Sequence, residues 1–426
     1  MSEQKMRHHP TVAVILSILF AGLGQLYNRR YVKGILFIVI EAAFLITFYN
    51  FLNIGLWGLI TLGEIPMVDH SIFLLIQGLV SVIIIAFAAV LYYFNIIDAR
   101  KDALRLQRGE PFPSLLESCR NAWDKGFPYV FVTPGLIMLL FIVVLPLLFM
   151  VSLAFTDYNL YNSPPRRLLH WVGFKNFKNL VSVPIWQDTF FSVFAWTIVW
   201  TVVATTLQIA LGLFLAILVN DPRIKFKRFI RTVLILPWAV PAFVTILVFA
   251  AMFNDKFGAI NRDILSAFGV MIPWMTDPFW TKVALILIQT WLGFPFVFAL
   301  FTGVLQSISR DWYEAAEIDG ATRWQKFRSI TLPHVLYATA PLLIMQYAGN
   351  FNNFNIIYLF NDGGPAVRGQ NAGGTDILIS WVYDLTFTTN NYNMAAAISI
   401  IIGLIVSGFA LYQFRRTRSF KEEGNI

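Results

Sequence analysis

The sequence predicts an all-α protein that crosses a membrane many times. Of its 426 residues, 57% are hydrophobic and only 13% are charged, whereas soluble domains carry roughly 25% charged residues. The apolar residues gather in long, charge-free runs, not in the amphipathic spacing of a soluble core, and mean hydropathy is +0.65, so lipid is the expected solvent. Lys and Arg, in turn, concentrate in alternate segments between the runs, as they do in the cytoplasmic loops of membrane proteins.

A bilayer-spanning helix needs about 20 apolar residues. Runs of that kind lie near 34–52, 72–97, 129–155, 190–219, 231–253, 281–305, 335–360 and 392–414, which makes eight. The run at 11–27 is shorter and ends in "GLGQLYNRR". It leads directly into the next run, so it reads as a re-entrant or interfacial segment and not as a cleavable signal. The run at 190–219 exceeds what a bilayer requires and is expected to tilt or protrude. The polar link at 98–128, with "ARKDALRLQRGEPFPS", divides an N-terminal hairpin region, 1–128, from a six-span core, 129–426.

Eight spans with both termini in the cytoplasm place 24 of the 32 Lys and Arg residues inside and 8 outside. The reverse topology inverts that ratio and violates the bias. A ninth span over 11–27 would carry Lys5 and Arg7 outside. The net charge of +8 is thus a property of loops facing anionic lipid, such as "DPRIKFKRFIR" at 221–231, and calls for no nucleic acid. The expected location is the cell membrane.

Several chemistries are excluded or disfavoured. Cys119 is the single cysteine, and His8, His9, His70, His170 and His334 are scattered, so no metal site is expected. No Gly-Lys dipeptide occurs, so a nucleotide-binding P-loop is absent. Glu41 is the acid placed well inside a span. It suits a structural or peripheral role better than proton coupling, because it lies in the N-terminal hairpin. An ion-coupled secondary sugar transporter would need titratable groups in the core, where this chain offers Asn, Gln and aromatics. A glycan-processing enzyme would need paired carboxylates, and Asp376 and Asp384 have no evident partner geometry.

The segment 312–333, "WYEAAEIDGATRWQKFRSITLP", lies on the cytoplasmic side by the charge count. Its composition predicts a short helix carrying Glu314, Ala315 and Ala316, a break at Gly320, and a second short helix that Pro333 ends before the next span. Such a compact knob fits a groove in a partner, although an ordinary amphipathic loop would look the same. "EAAEIDG", then nine residues, then "ITLP" resembles the signature loop of binding-protein-dependent ABC importer permeases. Glu314, Ala315, Ala316, Gly320, Ile330, Leu332 and Pro333 match its fixed positions. "LPWAVPAFVTIL" at 236–247, "TWLGFPF" at 290–296, "NFNNFNIIYLFNDGGP" at 350–365 and "TDILISWVYDLTF" at 375–387 are similar to the larger subunit of the maltose/maltodextrin permeases.

The resemblance covers residues from about 130 onward. It implies a type I ABC importer fold and a coupling role for Glu314, Ala315, Ala316 and Gly320. It also implies a second, homologous permease subunit, two ATPase subunits that hold the ATP and Mg, an extracellular sugar-binding protein and an oligosaccharide substrate. The enteric relative has a large insertion after its first core span. Here that loop is only 156–189, so the binding protein must dock on less surface. A neutral sugar needs aromatic faces and amides. Trp291, Phe296, Asn350 and Asn353 supply both in the stretches that the resemblance implicates. Asn350 and Asn353, three apart, are expected on one helix face. Interhelical hydrogen bonding is the other reading for the two asparagines, and plain packing the other reading for Trp291.

Overall fold

The computed structural model describes residues 9–113, 115–221 and 223–416. His8, the side chain of Cys119 and the tail beyond Arg416 lie outside the described residues. Packing divides the chain into two units, Met1–Val172 and Gly173–Ile426. The run expected to open the core, at 129–155, packs within the first unit, because α6 (Leu145–Leu153) lies against α4 (Ser71–Arg108).

Among the described residues, six helices are long and apolar enough to cross a membrane: Tyr31–Thr61, Ser71–Arg108, Trp123–Leu153, Pro184–Asn220, Pro278–Ser307 and Tyr392–Tyr412. Each coincides with an expected run. Their outward faces carry large apolar side chains such as Ile46, 82% exposed, and Phe131, 78% exposed. Surfaces of this kind suit lipid and not water.

The two remaining expected spans are broken. The run at 231–253 forms α9 (Lys227–Ala239) and α10 (Ala242–Met252), bent by 88° between them. Pro241 stands at the break, where a proline ring bars continuation of the preceding helix. The run at 335–360 forms α14 (Leu332–Phe351) and α15 (Phe354–Asn361).

In the first unit, α1 (Pro10–Leu19) and α2 (Leu23–Tyr27) are too short to cross and are joined at Gly22, whose φ of +92° suits glycine. Glu41, on α3 (Tyr31–Thr61), accepts the Ala21 backbone N–H at 2.5 Å, which fixes that break. α3 and α4 form the hairpin. Gly55, Gly58 and Gly78 let them touch, since a Cβ at any of the three would collide with the facing helix. At the far end of the hairpin, Asn28 donates to the Ala99 carbonyl at 2.7 Å and Lys33 pairs with Asp98 at 2.5 Å. The unit continues through α5 (Leu115–Leu139) and a π-helical turn, Leu140–Val144, into α6.

In the second unit, α7 (Lys175–Ser182) precedes α8 (Pro184–Asn220), which packs along α11 (Pro278–Ser307). Gly212 meets Val297 there, and Gly293 meets Gln208, each too closely for a Cβ. α14 lies against both helices. α12 (Arg310–Ile318) and α13 (Arg323–Lys326) connect α11 to α14, and α16 (Leu378–Phe387) and α17 (Tyr392–Arg416) close the unit.

Pro333 does not end α13, as its position in the sequence suggested. The backbone runs from Arg323 through a π-helical turn, Phe327–Thr331, into α14, with Pro333 in that helix's first turn. Proline lacks an N–H and crowds the carbonyl four residues back, and a widened turn relieves both constraints. Pro146 follows the Leu140–Val144 turn in the same way.

Candidate functional site

Two apolar clusters fill the second unit. One gathers Trp196, Trp200, Leu285, Ile288 and Ile356, and the other Ala216, Val297, Phe298, Phe301 and Val335. On three of the contributing helices, polar residues lie between them: Thr205 and Gln208 on α8, Gln289 on α11, and Gln346 and Asn350 on α14. Asn353 joins from the break before α15. These positions are near the middle of their spans, where an unpaired amide in hydrocarbon is costly.

The amides satisfy one another. Gln289 donates through Nε2 to Asn350 Oδ1 at 2.9 Å and to Gln208 Oε1 at 3.2 Å. Asn350 Nδ2 donates to Thr205 Oγ1 at 2.8 Å and to Gln208 Oε1 at 3.4 Å. Asn353 Nδ2 donates to Gln289 Oε1 at 3.0 Å, and Gln208 Nε2 to Gln346 Oε1 at 3.2 Å. The belt is uncharged throughout.

Asn350 and Asn353 do not share a helix face, because the helix stops between them. Phe354 N–H turns to the Asn352 carbonyl at 2.9 Å, and the Asn350 carbonyl takes the indole N–H of Trp200 at 2.9 Å. Asparagine side chains compete for the backbone, which favours such a break. Asn350 is only 4% exposed and its amide is engaged on both atoms. Its surroundings are those of an interhelical tie. Asn353 and Gln346 are half-buried and form the open edge of the belt.

The other two expected residues lie apart from the belt. Trp291 is 46% exposed, stands edge-on to Phe294 at 5.7 Å, and points away from Gln289, two positions earlier on α11. Phe296 meets Trp238 of α9 edge-on at 5.8 Å. The sequence reading missed Gln208, Gln289, Gln346 and Thr205. The signal for the three glutamines was an amide inside an apolar run in "TLQIALG", "ILIQTWLG" and "LIMQYAGN"; Thr205 carried none.

The segment between α11 and α14 forms a knob. Ser309 caps α12 by accepting Asp311 N–H at 3.2 Å. α12 then closes at Gly320, with φ of +76°, and Ala321 N–H returns to the Ala316 carbonyl at 2.9 Å. Thr322 and Gln325 form a reciprocal cap on α13. Lys326 bridges back to Glu317 at 2.5 Å and holds that carboxyl below the usual range. Glu314, Ala315 and Gly320 are exposed, Ala316 partly so, and Ile318 is 87% exposed.

Comparison with known proteins decides what this arrangement is. Residues 208–419 match the family described as "Binding-protein-dependent transport system inner membrane component". The chain is 54% identical over 417 residues to the galactooligosaccharides transport system permease protein GanP of Bacillus subtilis (strain 168), covering 97% of this chain and 99% of that protein. This chain belongs to the binding-protein-dependent permease family. The permease is also 48% identical to the maltodextrin transport system permease protein MdxF of the same organism, over 96% of each chain. Its fold resembles that of a solved bacterial ABC transporter "involved in the import of the acidic polysaccharide alginate", with a TM-score of 0.58, 22% identity, and coverage of 72% of this chain and 98% of that one. The permease is thus an all-helical, multi-pass membrane protein of the type I ABC importer fold.

Proposed function

We propose that this permease is one of two membrane subunits of an ATP-driven importer of neutral oligosaccharides, of maltodextrin or galactooligosaccharide type. The observation that carries this reading is the belt of uncharged amides at mid-span, open at Asn353 and Gln346. Amides exchange hydrogen bonds with sugar hydroxyls without a change of charge, which suits a neutral polyol. GanP and MdxF, named for galactooligosaccharides and maltodextrin, support the substrate class.

In this reading both termini and the 312–333 knob face the cytoplasm, and the 361–391 region faces outward. Residues 129–426 act as the translocating core with a second permease subunit. A sugar-loaded binding protein docks outside. Two ATPase subunits, which hold the ATP and Mg, grip the knob through Glu314, Ala315 and Ala316. Their closure turns the cavity outward, and hydrolysis resets it. The ion-coupled alternative would need a titratable group in the belt, and each described belt residue is a neutral amide or a threonine. The test is ATP hydrolysis by the complete reconstituted complex, with its binding protein, across maltodextrins and galactooligosaccharides. Stimulation by one of these series supports the reading. Hydrolysis indifferent to every oligosaccharide overturns it.

A further inference from the structure

A second polar cavity lies outward of the amide belt, and nothing in the coupling or the belt uses it. It encloses about 220 Å³ beside α15 and α16, lined by Tyr358, Asp362, Asp376, Tyr383, Asp384 and Thr388 among others. At ~30 Å³ per liquid water it has room for about seven waters, or for one sugar ring in their place.

Two features give this cavity the chemistry of a sugar site. Tyr358, Tyr383 and Phe387 line it with aromatic rings, and Phe354 packs against two of them. Phe354 stacks on Tyr358 with ring centroids 5.0 Å apart, both rings approach Tyr383 at 4.7 and 5.0 Å, and Phe387 extends the series at 4.8 Å from Tyr383. Such faces pack against the C–H side of a pyranose. The same cavity offers acceptors. Asp376 is structural: buried, it accepts Gly373 N–H and Ser380 Oγ–H, both at 2.7 Å, and burial pushes its carboxyl up to about 6. Asp362 and Asp384 also line the cavity, and their carboxylates can accept from hydroxyl donors.

The location matters as much as the lining. α15 starts beside Asn353, at the open edge of the belt, and Tyr358 lies five residues further along it, about 7.5 Å at ~1.5 Å per residue. One helix therefore carries an amide site at one end and an aromatic site a sugar residue or so beyond. Resting on the reading of this chain as an oligosaccharide permease, we propose that this cavity is an outer subsite. It takes one further ring of a longer oligosaccharide while the belt engages the leading end, and so it sets length preference.

The test compares uptake of a disaccharide and a tetrasaccharide of one linkage, maltose with maltotetraose and galactobiose with galactotetraose, by the reconstituted complex. The variants are Asp384→Asn, which keeps shape, and Tyr383→Ala, which removes the platform. Loss of one hydrogen bond or one stacked face should lower tetrasaccharide uptake about five-fold relative to disaccharide uptake. Equal loss for both lengths marks a structural role and overturns the proposal. So does an unchanged ratio in both variants, or an effect of Asp384→Asn that chelation of calcium reproduces in the unmodified complex. If the unmodified complex takes up no oligosaccharide of any length, it is the proposed function that fails, and the two failures are distinguished.

Discussion

Asn350 and Asn353 are the same residue type three positions apart, in different surroundings. Asn350 has bonding partners on α8 and α11 and almost no exposure. Truncating it to Ala removes one acceptor from Gln289, which keeps its bonds to Gln208 and Asn353, and the donor to Thr205, and each buried group left unpaired costs roughly 1–3 kcal/mol. The expected result of Asn350→Ala is a lower melting temperature and reduced recovery of the assembled complex. Asn353 gives one good bond to Gln289 and keeps an open side. Asn353→Ala should leave assembly intact and reduce uptake several-fold. Side-by-side uptake and thermal-shift measurements check the pair, and a reversed pattern would exchange the two roles. The residue types were legible in the sequence, because an amide within an apolar run is conspicuous. The difference in their surroundings was not. It depends on Trp200 taking the Asn350 carbonyl and on Gln208 reaching across from α8, contacts about 140 to 150 positions apart in the chain.

At the scale of elements, apolar length alone located the continuous spans, and the breaks were harder to read. The run at 231–253 reads as one span in sequence yet bends by 88° at Pro241, whereas Pro333, which reads as a stop, is accommodated by a π-helical turn, as is Pro146. The break at Asn352 carried no proline at all. Gly320 was legible, because a glycine after a run of helix formers marks a left-handed closure. That position has open space around it, so strain and not collision governs substitution there. Gly320→Val puts a β-branched side chain at φ of +76°, which costs on the order of 1–2 kcal/mol and re-aims α12. The variant should insert and assemble with its partner permease yet lose co-purification of the ATPase, or lose sugar-stimulated hydrolysis. Retention of both would remove the docking role from this knob.

At the scale of the whole molecule, the bias of 24 Lys and Arg to 8 fixes the proposed orientation. Single cysteines in a background lacking Cys119 report it with a membrane-impermeant reagent. In intact cells a cysteine at Arg368 should label and one at Glu110 should stay protected; the opposite pattern inverts the topology. The two packed units could not be read from the sequence, since the span near 129–155 looks like its neighbours and only its contact with α4 assigns it. The central claim is that this chain translocates a neutral oligosaccharide past a belt of uncharged amides, energised by ATP on another subunit. It is tested most directly by uptake of labelled maltotetraose or galactotetraose into proteoliposomes holding the full complex, with binding protein outside and ATP inside. Accumulation that requires both ATP and binding protein, and that survives collapse of every ion gradient by ionophores, is the predicted result. Accumulation without ATP that an ionophore abolishes would contradict the account.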